Sequence, residues 1–219
     1  MLILVLDAST PITTVALARG DEVRAEISVS ARGASDVLLP AVHVALNLAG
    51  EELASVERLL VGVGPGTFTG IRIAAATARA LSLGTGAALS KNSTLAALAA
   101  PALSCHADVL GILDAKRGQV FAQRFSGADP TTEISCVRPQ DLSAKGAPLI
   151  VGDGAVRYRD ALSELGLIPP DDSPLHRVTA TGHVLSADLT PVEAESLAPI
   201  YVREPDAEVR RGLNPWARP

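Results

Sequence analysis

Nine residues, Gly64-Pro-Gly-Thr-Phe-Thr-Gly-Ile-Arg72, constrain this chain more than any other stretch. They stand between an apolar run, Leu59 to Val63, and a long alanine-rich segment, Ile71 to Leu83. Glycines at 64, 66 and 70 permit positive φ or close backbone approach, and Pro65 fixes a turn. Thr67 and Thr69 are of the type that caps a following helix. A strand, a glycine turn and a helix start are the parts of a phosphate cradle. The spacing argues otherwise. A mononucleotide loop needs Gly-Lys-Ser/Thr at its end, and here Gly70 is followed by Ile71 and Arg72. The dinucleotide fingerprint fails by one residue between Gly66 and Gly70. Phe68 in mid-turn reads as an exposed contact for another molecule.

The flanking segments predict α/β architecture. Leu2 to Leu6, Thr13 to Ala18 and Glu22 to Val29 read as an antiparallel meander. A helix follows from Ser35-Asp36 to Ala49, then a strand over Leu59 to Val63 and a helix from about Thr69 to Leu83. A third helix starts at Ser93 or Thr94 and stops at Pro101. The order then restarts, with strands at Asp108 to Leu113, Gln119 to Phe125, Glu133 to Val137 and Pro148 to Val151. Helices follow at Ala155 to Leu165 and Thr181 to Leu189, and a last short strand at Ile200 to Val202. The repeat is one of architecture, and it predicts two related lobes, each a mixed sheet with flanking helices, over residues 1–100 and 101–203. Residues 204–219, rich in charge and proline and including Trp216, read as a mobile tail.

Composition narrows the function. Only six of 219 residues are aromatic, Trp 1, Tyr 2 and Phe 3, so stacking platforms for single-stranded RNA are few. A net charge of −5 gives no overall pull toward nucleic acid or anionic lipid. Two cysteines in a chain this long make no disulfide framework, and no apolar run reaches membrane-spanning length. The apolar start ends at Asp7 without a basic leader, so a cytoplasmic protein is expected. The four histidines have no metal-ligand spacing and read as solvated; a metallopeptidase is not expected.

The two predicted helices are apolar on more than one stripe. Leu38, Leu39, Val42, Ala45, Leu46 and Ala49 form one stripe of the first, and Val37, Ala41, Val44 and Leu48 a second. In the next helix Ile71, Ala74, Ala75, Ala78 and Leu81 form one face, and Ile73, Ala76, Ala80 and Leu83 another. One stripe suffices for a surface helix. The surplus predicts a protein interface built from Leu38, Val42, Ala45, Leu46, Phe68, Ile73, Ala76 and Ala80. Asp7 ends the first strand and, with Ser9 and Thr10, resembles a phosphate-binding hairpin. Asp114 and Gly118 hold the matching place in the second lobe, where Lys116 and Arg117 intrude on it. Both read as vestigial phosphate loops.

Leu4-Val-Leu-Asp-Ala-Ser-Thr10, the nine-residue glycine motif, Ser93-Thr-Leu95, Leu113-Asp-Ala-Lys-Arg-Gly-Gln-Val120 and Ile200-Tyr-Val-Arg203 together resemble the bacterial TsaB (YeaZ) family over residues 1–203. The resemblance implies an actin/sugar-kinase/Hsp70-like fold. It implies a part in making threonylcarbamoyladenosine in tRNA, as a non-catalytic partner of a TsaD-type transferase subunit. A TsaE-type ATPase joins that assembly, tRNA is met only through the complex, and the chain alone pairs as a homodimer. ATP or ADP at the junction with the partner is also implied. Ala34-Ser35-Asp36 stands where many relatives carry a histidine, so no role is transferred there. The competing expectation is a weak phosphotransferase of the same fold, using Asp7 and Asp114.

Overall fold

The computed structural model describes residues 1–30, 33–200 and 202. The tail 204–219, Trp216, Tyr201 and Arg203 lie outside the described residues. The first lobe runs β1 (Leu2–Asp7), β2 (Ile12–Arg19), β3 (Glu22–Ser30), α1 (Ala34–Ala49), β4 (Arg58–Gly62), α2 (Phe68–Thr85) and β5 (Ala88–Asn92). Its sheet has the order β3-β2-β1-β4-β5. β1 is the middle strand, antiparallel to β2 and parallel to β4. A strand covered on both faces reads as a continuous apolar run, here Leu2 to Leu6, and every residue of β1 including its terminal Asp7 is buried. β3, at the edge, alternates instead.

The second lobe runs α3 (Thr94–Leu103), β6 (Asp108–Lys116), β7 (Gln119–Ser126), β8 (Asp129–Pro130), β9 (Ser135–Val137), β10 (Leu149–Val151), α4 (Asp153–Arg157) and α5 (Arg159–Leu162), and then α6 (Ala180–Ser186). β10 pairs parallel with β6, β6 antiparallel with β7, and β7 antiparallel with β9. The order β9-β7-β6-β10 repeats β3-β2-β1-β4 of the first lobe. The architectural repeat is therefore real, with differences. A 3-10 turn over Pro139–Asp141 stands where the first lobe has α1, and the helix expected over 155–165 is broken into α4 and α5 at Tyr158.

Helix ends follow local chemistry. Gly50, at φ 66°, closes α1 by donating its N–H to the carbonyls of Leu46 and Asn47. α2 continues through Gly84 and stops at Gly86, φ 75°, two residues beyond the end expected from sequence. Ser93 caps α3 by accepting from the Ala96 N–H. Thr67, at the N-cap of α2, makes no side-chain cap. Its hydroxyl donates to the Ala8 carbonyl instead, at 3.2 Å.

The lobe boundary expected at residue 100 is displaced by packing. α3 builds the second lobe's core, where Leu95, Leu98 and Ala102 meet Val109, Leu113 and Phe125. The chain after α6 returns to the first lobe, where Val192, Ala194, Leu197 and Ile200 join the core formed by Leu2, Leu4, Leu6, α1 and α2. Arg79 holds this return by donating to the carbonyls of Ala194 (2.8 Å) and Leu197 (3.5 Å). α1 and α2 thus cover one face of the first sheet. The other face, Ile3, Val5, Ala16, Ala18 and Leu60, is covered by Ala180 and Val184 of α6.

Candidate functional site: a closed cleft and an open helical face

The glycine motif packs on the β1–β2 turn. A Cβ at Gly70 would stand 1.8 Å from the Ala8 carbonyl oxygen, and one at Gly66 would stand 2.1 Å from that of Ser9. The Thr67 N–H donates to the Ser9 carbonyl at 2.6 Å. The motif is thus a backbone-to-backbone seat, and the N–H that a phosphate would need is already bonded. Gly64 and Pro65 are joined by a cis peptide bond within this seat.

Asp7, Ser9 and Thr10 also differ from a phosphate hairpin. The Ser9 N–H and Oγ both donate to Asp7 Oδ1 at 2.6 Å. Thr94 Oγ1 reaches Ser9 Oγ at 2.9 Å and Asp7 Oδ2 at 3.5 Å. Asp7 Oδ2 takes its main bond from His183 Nε2 of α6 at 2.6 Å. On the other side of the ring, His183 Nδ1 stands 3.2 Å from the Asn92 amide nitrogen. Asp7 and His183 are both buried. Burial pushes the Asp7 carboxyl upward, but the bond and charge of His183 and the two bonds from Ser9 outweigh it, and the net shift is downward. Thr10 bonds within its own turn, to Ile12.

In the second lobe Asp114 is held by its neighbours too. Lys116 donates its N–H and Nζ to Asp114, each at 2.9 Å, and Arg157 Nε stands 3.6 Å away. Lys116 and Arg117 take positive φ, 63° and 54°, beside Gly118. Lys116 therefore folds back on its own loop rather than reaching outward. Asp153, at the start of α4, accepts from the Asp114 N–H at 2.9 Å. Its carboxyl is pushed up, chiefly by burial. The nucleotide site that the fold class implies is thus tested by its own donors and does not fit: both aspartates are engaged internally, and α6 occupies the first loop. The phosphotransferase expectation is not supported by this geometry.

The histidines correct a second expectation. His183 is fully buried and His176 nearly so. His176 Nδ1 accepts from the Gly152 N–H at 3.1 Å and Nε2 faces the Pro169 carbonyl at 3.3 Å. No sequence spacing pointed to His183, because its partner lies 176 positions away.

The predicted interface residues divide. Leu38, Val42, Ala45 and Leu46 are buried in the first lobe's own core, so they form no free surface; the expectation placed them on the wrong stripe. Ile73 packs partly against that core. Phe68, Ala76 and Ala80 are exposed. Leu39, Val44, Leu48 and Leu83 accompany them, Leu48 at 71% and Leu83 at 90% exposure. Arg72 stacks over the Phe68 ring, 3.9 Å from its centre. α1 and α2 pack side by side; Val44 and Leu48 share one flank of α1, Leu39 lies on its opposite flank, and Phe68, Ala76, Ala80 and Leu83 lie on the outer side of α2. Among the described residues no helix is long and apolar enough to cross a membrane.

Comparison with known proteins bears on the family and the fold. The family model for TsaD, tRNA N6-adenosine threonylcarbamoyltransferase, matches residues 28–141, more than half of the chain. The chain is 29% identical to the tRNA threonylcarbamoyladenosine biosynthesis protein TsaB of Escherichia coli over 221 residues, covering 93% of this chain and 95% of that protein. TsaB of Bacillus subtilis is 35% identical over 122 residues, 55% of this chain and 53% of that protein. In structure the chain superposes on YeaZ from Pseudomonas aeruginosa with a TM-score of 0.79 at 23% identity, over 91% of this chain and 99% of that one. The ethanolamine utilization protein EutJ of Carboxydothermus hydrogenoformans gives 0.51 at 13% identity, over 84% and 89%. The doubled sheet order, the actin/sugar-kinase/Hsp70-like fold and these matches lead to one conclusion: the chain belongs to the family that the TsaD model describes, as a TsaB (YeaZ) member of it.

Proposed function

We propose that this chain serves the synthesis of threonylcarbamoyladenosine in tRNA as a partner subunit, and that it docks a TsaD-type transferase subunit through the exposed face of α1 and α2. The observation that carries this reading is the face itself. It presents Val44 and Leu48 of α1 and Phe68 and Leu83 of α2 to solvent, with Ala76 and Ala80 exposed on the outer side of α2. Exposed alanines let a partner's helix approach closely, and the aliphatic residues around them supply the area that association needs. The Escherichia coli and Bacillus subtilis relatives carry the name of this biosynthesis, which supports the substrate pathway. The engaged aspartates of both lobes support a role without group transfer of its own.

In the same reading the face is self-capped in a homodimer when the transferase subunit is absent. A TsaE-type ATPase and tRNA meet this chain through the complex, and any ATP or ADP lies at the junction with the partner. The test is co-elution of the chain with the TsaD-type subunit of the same organism. Ala76→Glu and Leu83→Asp should each abolish the complex, while circular dichroism and melting stay those of the parent. A charged variant that still co-elutes would refute the docking face; no complex with the unaltered chain would refute the partner role.

A further inference from the structure

The turn from β6 to β7 closes on an uncommon backbone. Lys116 and Arg117 both take positive φ, 63° and 54°, before Gly118. That region suits glycine and asparagine and disfavours longer side chains, so tight hairpins are ordinarily closed by Asn-Gly or Asp-Gly. Here the chain holds two cations at the tip in that conformation.

The charges around the tip are layered. Lys116 Nζ, at 2.9 Å, and Arg157 Nε, at 3.6 Å, converge on Asp114 Oδ2. The Asp114 side chain is 3% exposed, whereas those of Lys116 and Arg157 are 59% and 61% exposed. The carboxylate thus fixes both cations from beneath and leaves their outer sides to water. An ammonium has three hydrogens, so Lys116 can donate outward as well. Arg157 also lies against the Tyr158 ring, 5.6 Å from its centre. Arg138 is exposed and directly follows β9. Val137 pairs with Val120, and Gln119 with Lys116, so the register sets Arg138 beside Gln119 in the same row. Lys116, Arg117, Arg138 and Arg157, all exposed, therefore gather at one end of the second sheet. Exposed carboxylates follow at Asp141 and Asp160, three residues past Arg138 and Arg157.

β6 and β9 flank β7, so the strands carrying Lys116 and ending at Arg138 stand about 10 Å apart, two strand spacings. That span exceeds one phosphate group and suits successive phosphates of a chain. Phe121 and Phe125 of this sheet are buried, and Tyr158 lies against Arg157, so these rings offer no stacking platform for bases.

We propose that this end of the second lobe holds the phosphodiester backbone of RNA, with the four cations contacting phosphates and no base being read. The choice of RNA rests on the proposed part in tRNA modification. The docking face lies on the first lobe, so the two readings can fail separately. The net charge of −5 opposes the contact, so binding by the chain alone is weak and falls with salt.

Titration of the full chain with an unmodified tRNA transcript, followed by NMR at about 50 mM salt, tests it. The amides of 116–119, 138 and 157 should shift or broaden, and added salt should reverse the change. Arg117→Glu combined with Arg138→Glu should weaken binding about tenfold or more and make its salt dependence shallower. Arg157→Gln alone should weaken it in the same direction, and covers the case in which the double variant fails to fold. Arg24→Glu, at an exposed arginine of β3 in the first lobe, should change nothing. The double variant should still co-elute with the TsaD-type subunit, which separates lost RNA contact from lost docking. The proposal is overturned if the transcript leaves these amides unmoved, if Arg24→Glu weakens binding as much as the double variant, or if ATP at the same concentration moves them equally, the mark of a single-nucleotide site.

Discussion

At the residue scale, the glycines of the 64–72 motif act by absence of a side chain. Gly70 shows this most plainly, because a methyl group there would collide with the Ala8 carbonyl, which is backbone, one residue past the end of β1. Gly70→Ala should destabilise the protein by about 3 kcal/mol, toward the upper end for overpacking of a tight contact. Gly84→Ala, where nothing lies within 4 Å, is the control and should be neutral or slightly stabilising. Urea denaturation of both variants checks the contrast. Asp7 makes the other residue-level statement. Its folded carboxyl lies below the ordinary value of 3.8, so its stabilisation is complete above that value and is lost as pH falls through the folded one. Asp7→Asn should cost about 3–5 kcal/mol at neutral pH, the loss expected on breaking a buried pair. The gap between variant and parent should narrow below pH 3.8, in denaturant midpoints measured along an acid series.

At the element scale, α1 and α2 each divide into an inward and an outward stripe. The pattern of apolar residues announced a surplus, but it did not say which stripe the sheet would take. Val42, taken from sequence as interface, is buried in the first lobe's core. Val42→Asp should therefore unfold the first lobe or cost about 4 kcal/mol, because an unpaired carboxylate would be buried. Ala76→Glu, one helix away but exposed, should change stability by less than about 0.5 kcal/mol. Thermal melts of the two variants separate these outcomes before any partner is added. α6 carries the opposite lesson. Its seven residues looked like an ordinary helix of the second lobe, and three polar side chains from the first sheet make it a connector.

At the scale of the whole molecule, two lobes of like topology are interlocked by exchange: α3 departs from the first sheet to build the second core, and residues 192–200 come back to finish the first. That interlock explains why a division at residue 100 fits neither core. What the chain determined by itself was everything set by local periodicity and steric permission: the strands, the long helices, the glycine seat, and the repeat that points to the fold. β5 escaped this reading, because Ala88-Leu-Ser-Lys-Asn92 has too few apolar residues to alternate visibly. Tertiary structure alone decided which helix stripe is outward, because a helix apolar on two sides is indifferent until a sheet covers one of them. It also decided that Asp7 is tied to a histidine of α6. The sequence places the carboxylate correctly, but the imidazole that neutralises its burial arrives from 176 residues downstream, and no local pattern encodes an encounter made only when the chain folds back.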